Sequence, residues 1–454
     1  MKRTGLLLEN VASNSGGLAQ FAGLEDDSLE RDGGLYIRHA PLRAEVGREA
    51  RESFEVFGFG QLFPARRVWR TEIPLTRHEL FEHVEECRAE WRRALVDHEE
   101  SANSLFRRIK KYPFQEEWDF GTRPKLLRAC GGWLAVAGER LFYFIFENTD
   151  DPTLREMGQR LRAASAAGGV VLTITSESFF VPWGMLYTHT RPGGLAHDGS
   201  NFDPKGFWGY QHVIEHNTDE VVLETGIRPE RAGPLPASMN FDETIDARLG
   251  VGCVKKQQEL FERLERLNLI ARTERRRRDE LRLALEGGNF QDRILYFYCH
   301  GEGASGTDGP SLMSANLRLS DGEPITGNDI AYWLRARREL PSHPLVFINA
   351  CQGGQMTTLF YQTIAAQFLR QKAVGLVGCQ IDIPAPFAAE FARRLLSEFI
   401  DSRSPAPEKV RLGPLLNRLT RELMDVHHNP LGLVYSLYRG ADCYIDRTAR
   451  APRA

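Results

Sequence analysis

Three short apolar runs constrain the fold of this chain most strongly. They read RILYFYCH (293–300), PLVFINAC (344–351) and AVGLVGC (373–379). Segments with helical apolar spacing separate or follow them: GNDIAYWLRARREL, TLFYQTIAAQFLRQK and PFAAEFARRLLSEFI. A strand that is apolar on both faces must be covered on both faces, and strands alternating with helices achieve this in a parallel sheet. The expected fold class is α/β, a mostly parallel sheet flanked by helices.

The first run continues into HGEGASG, so that Gly301, Gly303 and Gly306 spell G-x-G-x-x-G after a strand. A dinucleotide loop needs a helix starting at those glycines, because the pyrophosphate sits on its N-terminus. Here Gly309, Pro310, Gly322 and Pro324 punctuate the continuation, which has no helical period. Asp321, the acid near the fitting distance, lies in a turn-like Ser-Asp-Gly. The glycines are therefore read as a mobile loop beside a site.

The weight moves to His300, which closes the first run, and to Cys351, which closes the next run about fifty residues later. Side chains at the carboxyl ends of neighbouring parallel strands converge on one sheet edge, the usual place of α/β active sites. A thiol beside an imidazole is held as thiolate or deprotonated during attack. Backbone amides of Gly301 and Cys351 are placed to face an oxyanion. Taken singly, a strand-end His is usually a polar terminus and a Cys in an apolar strand is usually core. The joint pattern is much rarer. Cys299 alternates to the other strand face and reads as core.

At these residues the chain resembles the caspase-like cysteine peptidases. The segment NACQG matches their Q-A-C-[RQG]-G signature except at Asn349. The CHAT branch, grouped with caspases and separase, is more similar still: this chain carries VPWGMLY, CHGE and NACQGG in the family's order, and NPLGLVYSLYRGAD looks like its closing strand. Two departures stand out. Gly184 occupies a position where the family commonly has Glu, and QIDIPAP replaces an acidic Trp-Pro-Val-Asp-Asp-like segment. The resemblance implies a caspase-like fold and peptide-bond hydrolysis by a His300–Cys351 dyad, with the amides of Gly301 and Cys351 as oxyanion hole. Glu302, Gln380 and Asp382 are candidates for the substrate pocket, and Glu302 and Asp308 for orienting the imidazole. It also implies a specific protein substrate, encoded nearby, and activation on demand by a partner or ligand in a bacterial defence or cell-death pathway. The alternative is a catalytically silent CHAT-like interaction module.

Bulk properties fit a globular protein and narrow the partners. The chain has 454 residues, 42% hydrophobic and 26% charged, with a formal net charge of -3, so no global field draws it to nucleic acid or an acidic membrane. No apolar run reaches the ~18 residues of a membrane span, and Leu6–Leu8 is too short for a signal-peptide core. Seven scattered cysteines form no C-x-x-C pair, so the expected home is the reducing cytoplasm, with neither a metal nor another cofactor. The expected division is an N-terminal α+β region over 1–164, read as regulatory, partner-binding or a pseudo-caspase unit, and a caspase-like domain over 165–454. Within the first, strands are expected between Leu35 and Leu75, then a helix capped by Thr76 and Glu79. Lys255 to Glu286 reads as one long charged helix, with Arg275–Arg278 on its solvated face.

Overall fold

The computed structural model describes residues 29–43, 51–103, 108–189, 193–217, 225–229, 233–302, 316–337, 339–351, 361–401 and 409–447. The chain divides into the units Met1–Glu30 and Arg31–Ala454, and the second carries the fold. Among its described residues is one 13-stranded sheet. In chain order the strands are β1 (Gly33–Arg43), β2 (Arg51–Gly60), β3 (Arg70–Ile73), β4 (Val171–Thr175), β5 (Val213–Asn217), β6 (Leu235–Phe241) and β7 (Ile270–Arg275). They continue with β8 (Ile294–Glu302), β9 (Asn316–Arg318), β10 (Pro324–Thr326), β11 (Leu345–Cys351), β12 (Gly375–Cys379) and β13 (Tyr435–Tyr438).

The strand order is β7-β6-β8-β11-β12-β13-β5-β4-β1-β2-β3, with the β9–β10 hairpin extending from the end of β8. From β7 to β12 every pairing is parallel. β13 then pairs antiparallel with β12, and β5, β4 and β1 follow β13 in parallel. The sheet is thus two oppositely directed parallel groups joined at β12–β13, with the antiparallel β2 and β3 at one end. The three apolar runs of the sequence are β8, β11 and β12, neighbours in the first group. The sheet also runs across position 164, since β1 pairs with β4.

Both faces of the first group are covered, as its composition requires. On one face, α5 (Cys253–Arg266) and α8 (Ala385–Ile400) lie over Tyr296 and Tyr298. Tyr296 donates to Gln257 at 3.1 Å, and Tyr298 to the carbonyl of Ala385 at 3.1 Å. On the other, Leu295, Phe297, Cys299, Val346, Ile348 and Ala350 pack with α6 (Arg278–Glu286) and α7 (Gly327–Leu334) in one buried core. Cys299 therefore lies in the core, on the face opposite His300.

The N-terminal expectations match the structure: β1–β3 form, and α1 (Arg77–Trp91) opens with Thr76 and Glu79 in a reciprocal capping box. The expected long helix over 255–286 does not form. α5 ends at Arg266, Asn268 takes a positive φ of 55°, and β7 intervenes before α6. Ile270 and Arg275 are buried in this strand, where Arg275 pairs with Asp292 at 2.7 Å. The basic run is thus split among a strand end, two connecting residues and a helix start rather than lying on one solvated helix face.

Candidate active site

His300 and Cys351 are paired in register on β8 and β11, at the carboxyl ends of adjacent parallel strands. Strand alternation sets Tyr296, Tyr298 and His300 on one face, and Asn349 and Cys351 share the equivalent face of β11. The backbone alone is described for Cys351 and for Glu302, which lies opposite Asn316 on β9. Gly301 is buried in the same ladder opposite Leu317. Gly303, Gly306 and Asp308 lie outside the described residues. After them come the β9–β10 hairpin and, from Gly327, α7. Asp321 sits in the hairpin turn and accepts the backbone N–H of Arg278 at 2.8 Å.

Asn349, two residues before Cys351, is fully buried and ties β11 to its surroundings. Its amide donates to the carbonyl of Ala388 at 2.8 Å and to the Tyr296 hydroxyl at 3.3 Å, while its carbonyl oxygen accepts from Tyr435 at 2.7 Å. Tyr435 in turn stacks on Phe391 with ring centroids 3.7 Å apart. The single departure from the signature thus fills a closed polar niche.

Gln380 and Asp382 follow β12 at the same sheet edge, and both are buried. Gln380 donates from its side chain to Tyr438 at 2.9 Å and from its backbone to Val434 at 3.0 Å. Their carbonyls face α1: Arg88 donates to Gln380 at 3.2 Å, and the Trp91 indole donates to Asp382 at 3.1 Å. The Asp382 carboxylate lies 3.7 Å from Arg92. Residues from the N-terminal region therefore brace the segment that follows β12.

Two residues that the sequence reading missed belong to the surroundings of His300. Asp242 directly follows β6, and its N–H donates to the backbone carbonyl of Tyr298 at 3.1 Å. Its carboxylate accepts from the Thr244 N–H at 2.9 Å and hydroxyl at 2.6 Å, at the start of α4 (Thr244–Leu249). The other carboxylate oxygen accepts from Arg248 Nη2 at 2.9 Å, and Arg248 Nη1 lies 2.6 Å from His300 Nε2. Sequence gave one usable signal, an Asp closing an apolar segment; Pro236, Ser238 and Asn240 concealed that the segment is a strand.

Gly184 has a steric reason. A Cβ there would lie 2.2 Å from the carbonyl oxygen of Leu433 and 3.4 Å from Gly209 Cα, so a residue with a side chain, Glu included, cannot be accommodated without backbone movement. Of the other cysteines, Cys87, Cys130, Cys253, Cys299, Cys379 and Cys443 are buried. Burial pushes the thiols of Cys87 and Cys130 up to about 12, which leaves them poor nucleophiles. Among the described residues, no cluster of three or more His, Cys, Asp or Glu is arranged to hold a metal, and no helix is long and apolar enough to cross a membrane.

With this geometry in view, known proteins offer distant likenesses. No family model matches the chain. A 242-residue stretch is 28% identical to a Vitiosangium sp. protein named "probable protease", covering 51% of this chain and 29% of that one. Two crystal structures of the Saccharomyces cerevisiae separase–securin complex match 89% of this chain and 30% of theirs, at 10% identity and TM-scores of 0.45 and 0.41. The chain thus spans less than a third of the length of each of these matches.

Proposed function

We propose that this chain is a caspase-like cysteine endopeptidase of the CHAT type, with Cys351 as nucleophile and His300 as general acid and base. The observation that carries this reading is the register pairing of His300 with Cys351 at the carboxyl edge of adjacent parallel strands. The sequence shared with a protein named as a protease supports hydrolysis of peptide bonds. In the proposed reaction the Cys351 thiol loses its proton to His300, and the thiolate attacks the scissile carbonyl. The amides of Gly301 and Cys351 hold the oxyanion. His300 then protonates the leaving amine, and water hydrolyses the acyl-enzyme with His300 again as base.

The substrate in this account is a specific protein partner encoded nearby, cut on demand in a bacterial defence or cell-death pathway in the cytoplasm. Glu302, Gln380 and Asp382 border its pocket. Residues 1–164 serve as the regulatory or partner-binding region, and the hydrogen bonds of Arg88 and Trp91 to the segment after β12 support such a role. Comparing protein N-termini across the proteome of cells expressing this chain or its Cys351→Ala variant tests the proposal. New N-termini that depend on Cys351 are expected. Identical sets under activating conditions would favour the silent interaction module.

A further inference from the structure

We propose that Arg248, braced by Asp242, is a positioning residue that sets the proton state of His300 in the resting protein. The inference rests on the dyad reading above, because it concerns how His300 serves Cys351. A guanidinium has donors and no acceptor, so the contact of Arg248 Nη1 with His300 Nε2 at 2.6 Å requires that nitrogen to accept. The imidazole is then neutral with its hydrogen on Nδ1. Its Nε2 lone pair is engaged and cannot take a proton from the Cys351 thiol. The positive charge of Arg248 beside the ring also opposes formation of the imidazolium that a thiolate–imidazolium pair needs.

The arrangement is built rather than casual. Asp242 has a side chain only 4% exposed and holds the guanidinium through Nη2, while its other oxygen accepts from Thr244 at the start of α4. Asp246, on the same helix, accepts from the backbone of Val254 and Lys255 and ties α4 to α5. The Arg248 side chain is 47% exposed, so substrate or an activator can draw it away. Arg318, the register partner of His300 on β9, also carries positive charge. That side chain is turned along the hairpin, donating to Asn316 at 3.3 Å and to the Gly322 carbonyl at 3.0 Å. Release of Arg248 would free Nε2 to take the thiol proton.

The test is the rate at which iodoacetamide alkylates Cys351 in the full chain, read by mass spectrometry of its peptide between pH 6 and 9. In this reaction the thiolate displaces iodide. Arg248→Gln is expected to alkylate about 10-fold faster near pH 6.5 and to gain a low-pH limb in its profile, because a released Nε2 can take the thiol proton. Asp242→Asn, which keeps an oxygen for Thr244, should give a smaller gain in the same direction. Adding His300→Ala to Arg248→Gln should erase the gain. Equal or slower alkylation in both Arg248→Gln and Asp242→Asn, while His300→Ala alone slows the native chain, would overturn this proposal and leave the dyad standing. If His300→Ala changes nothing in either background, the dyad itself fails and the proposal falls with it.

Discussion

The indole of Trp91 donates to the backbone carbonyl of Asp382, joining residues 291 positions apart in the chain. Trp91 is fully buried, and with Arg88 it holds the segment that leaves β12 at the candidate active-site edge. Trp91→Phe keeps an aromatic core but leaves a buried carbonyl without its donor, at a cost of about 1–3 kcal/mol. Urea unfolding should show that loss, and hydrogen exchange should quicken at the Gln380 amide, now bonded to Val434. Unchanged exchange there would mean that α1 does not brace this segment.

Asn349 should tolerate neither shortening nor lengthening. Asn349→Ala strips partners from the Tyr435 hydroxyl and the Ala388 carbonyl, and about 2–4 kcal/mol of stability should go with them. Asn349→Gln restores the residue of the caspase signature but adds a methylene to a fully buried niche, at about 1–3 kcal/mol. Denaturant midpoints of both variants check this. A Gln variant as stable as the native chain would show that the niche is looser than its hydrogen bonds indicate.

Mild acid should destabilise the fold through two buried histidines. Burial lowers both His212 and His216 from 6.5 to about 3. His212 is held neutral, its Nδ1 accepting from the Val170 N–H at 3.1 Å and its Nε2 lying 2.8 Å from Ser165 Oγ. His216 stacks on Tyr438. The unfolded chain takes up these protons below about pH 6.5 and the folded chain does not, so stability falls as pH falls and is unaffected by these groups above that point. Between pH 7.5 and 5.5 the two together should remove about 3 kcal/mol, at roughly 1.4 kcal/mol per pH unit for each group below 6.5. Urea midpoints at the two values measure the difference, and His216→Phe should reduce the slope.

How much of this was legible in the sequence depended on how local the cause was. β8, β11 and β12 were readable because central parallel strands must be apolar on both faces, and the His300–Cys351 pair because each residue closes such a run. β6 was hidden because Ser238 and Asn240 are polar yet fully buried, the Asn240 amide being satisfied by the carbonyl of Tyr296 at 3.0 Å. β7 was hidden because an edge strand carries charge on its open side. It therefore resembled the charged helices around it. Arg248 could not be found at all: its contact with His300 exists because β6 lies beside β8, a neighbour relation that no local pattern encodes. Likewise, the bracing by Arg88 and Trp91 depends on which helix the fold brings to the end of β12.

The central claim, that Cys351 and His300 form a working nucleophile and base, is tested most directly with a thiol-reactive peptide probe applied to the full chain under activating conditions, with the labelled residue located by mass spectrometry. The account predicts labelling at Cys351 that disappears in Cys351→Ala and falls by about 10²–10⁴-fold in His300→Ala, the usual contribution of a positioned acid–base group. Equal labelling of the native chain and Cys351→Ala, or labelling at Cys351 that is indifferent to His300, would contradict it.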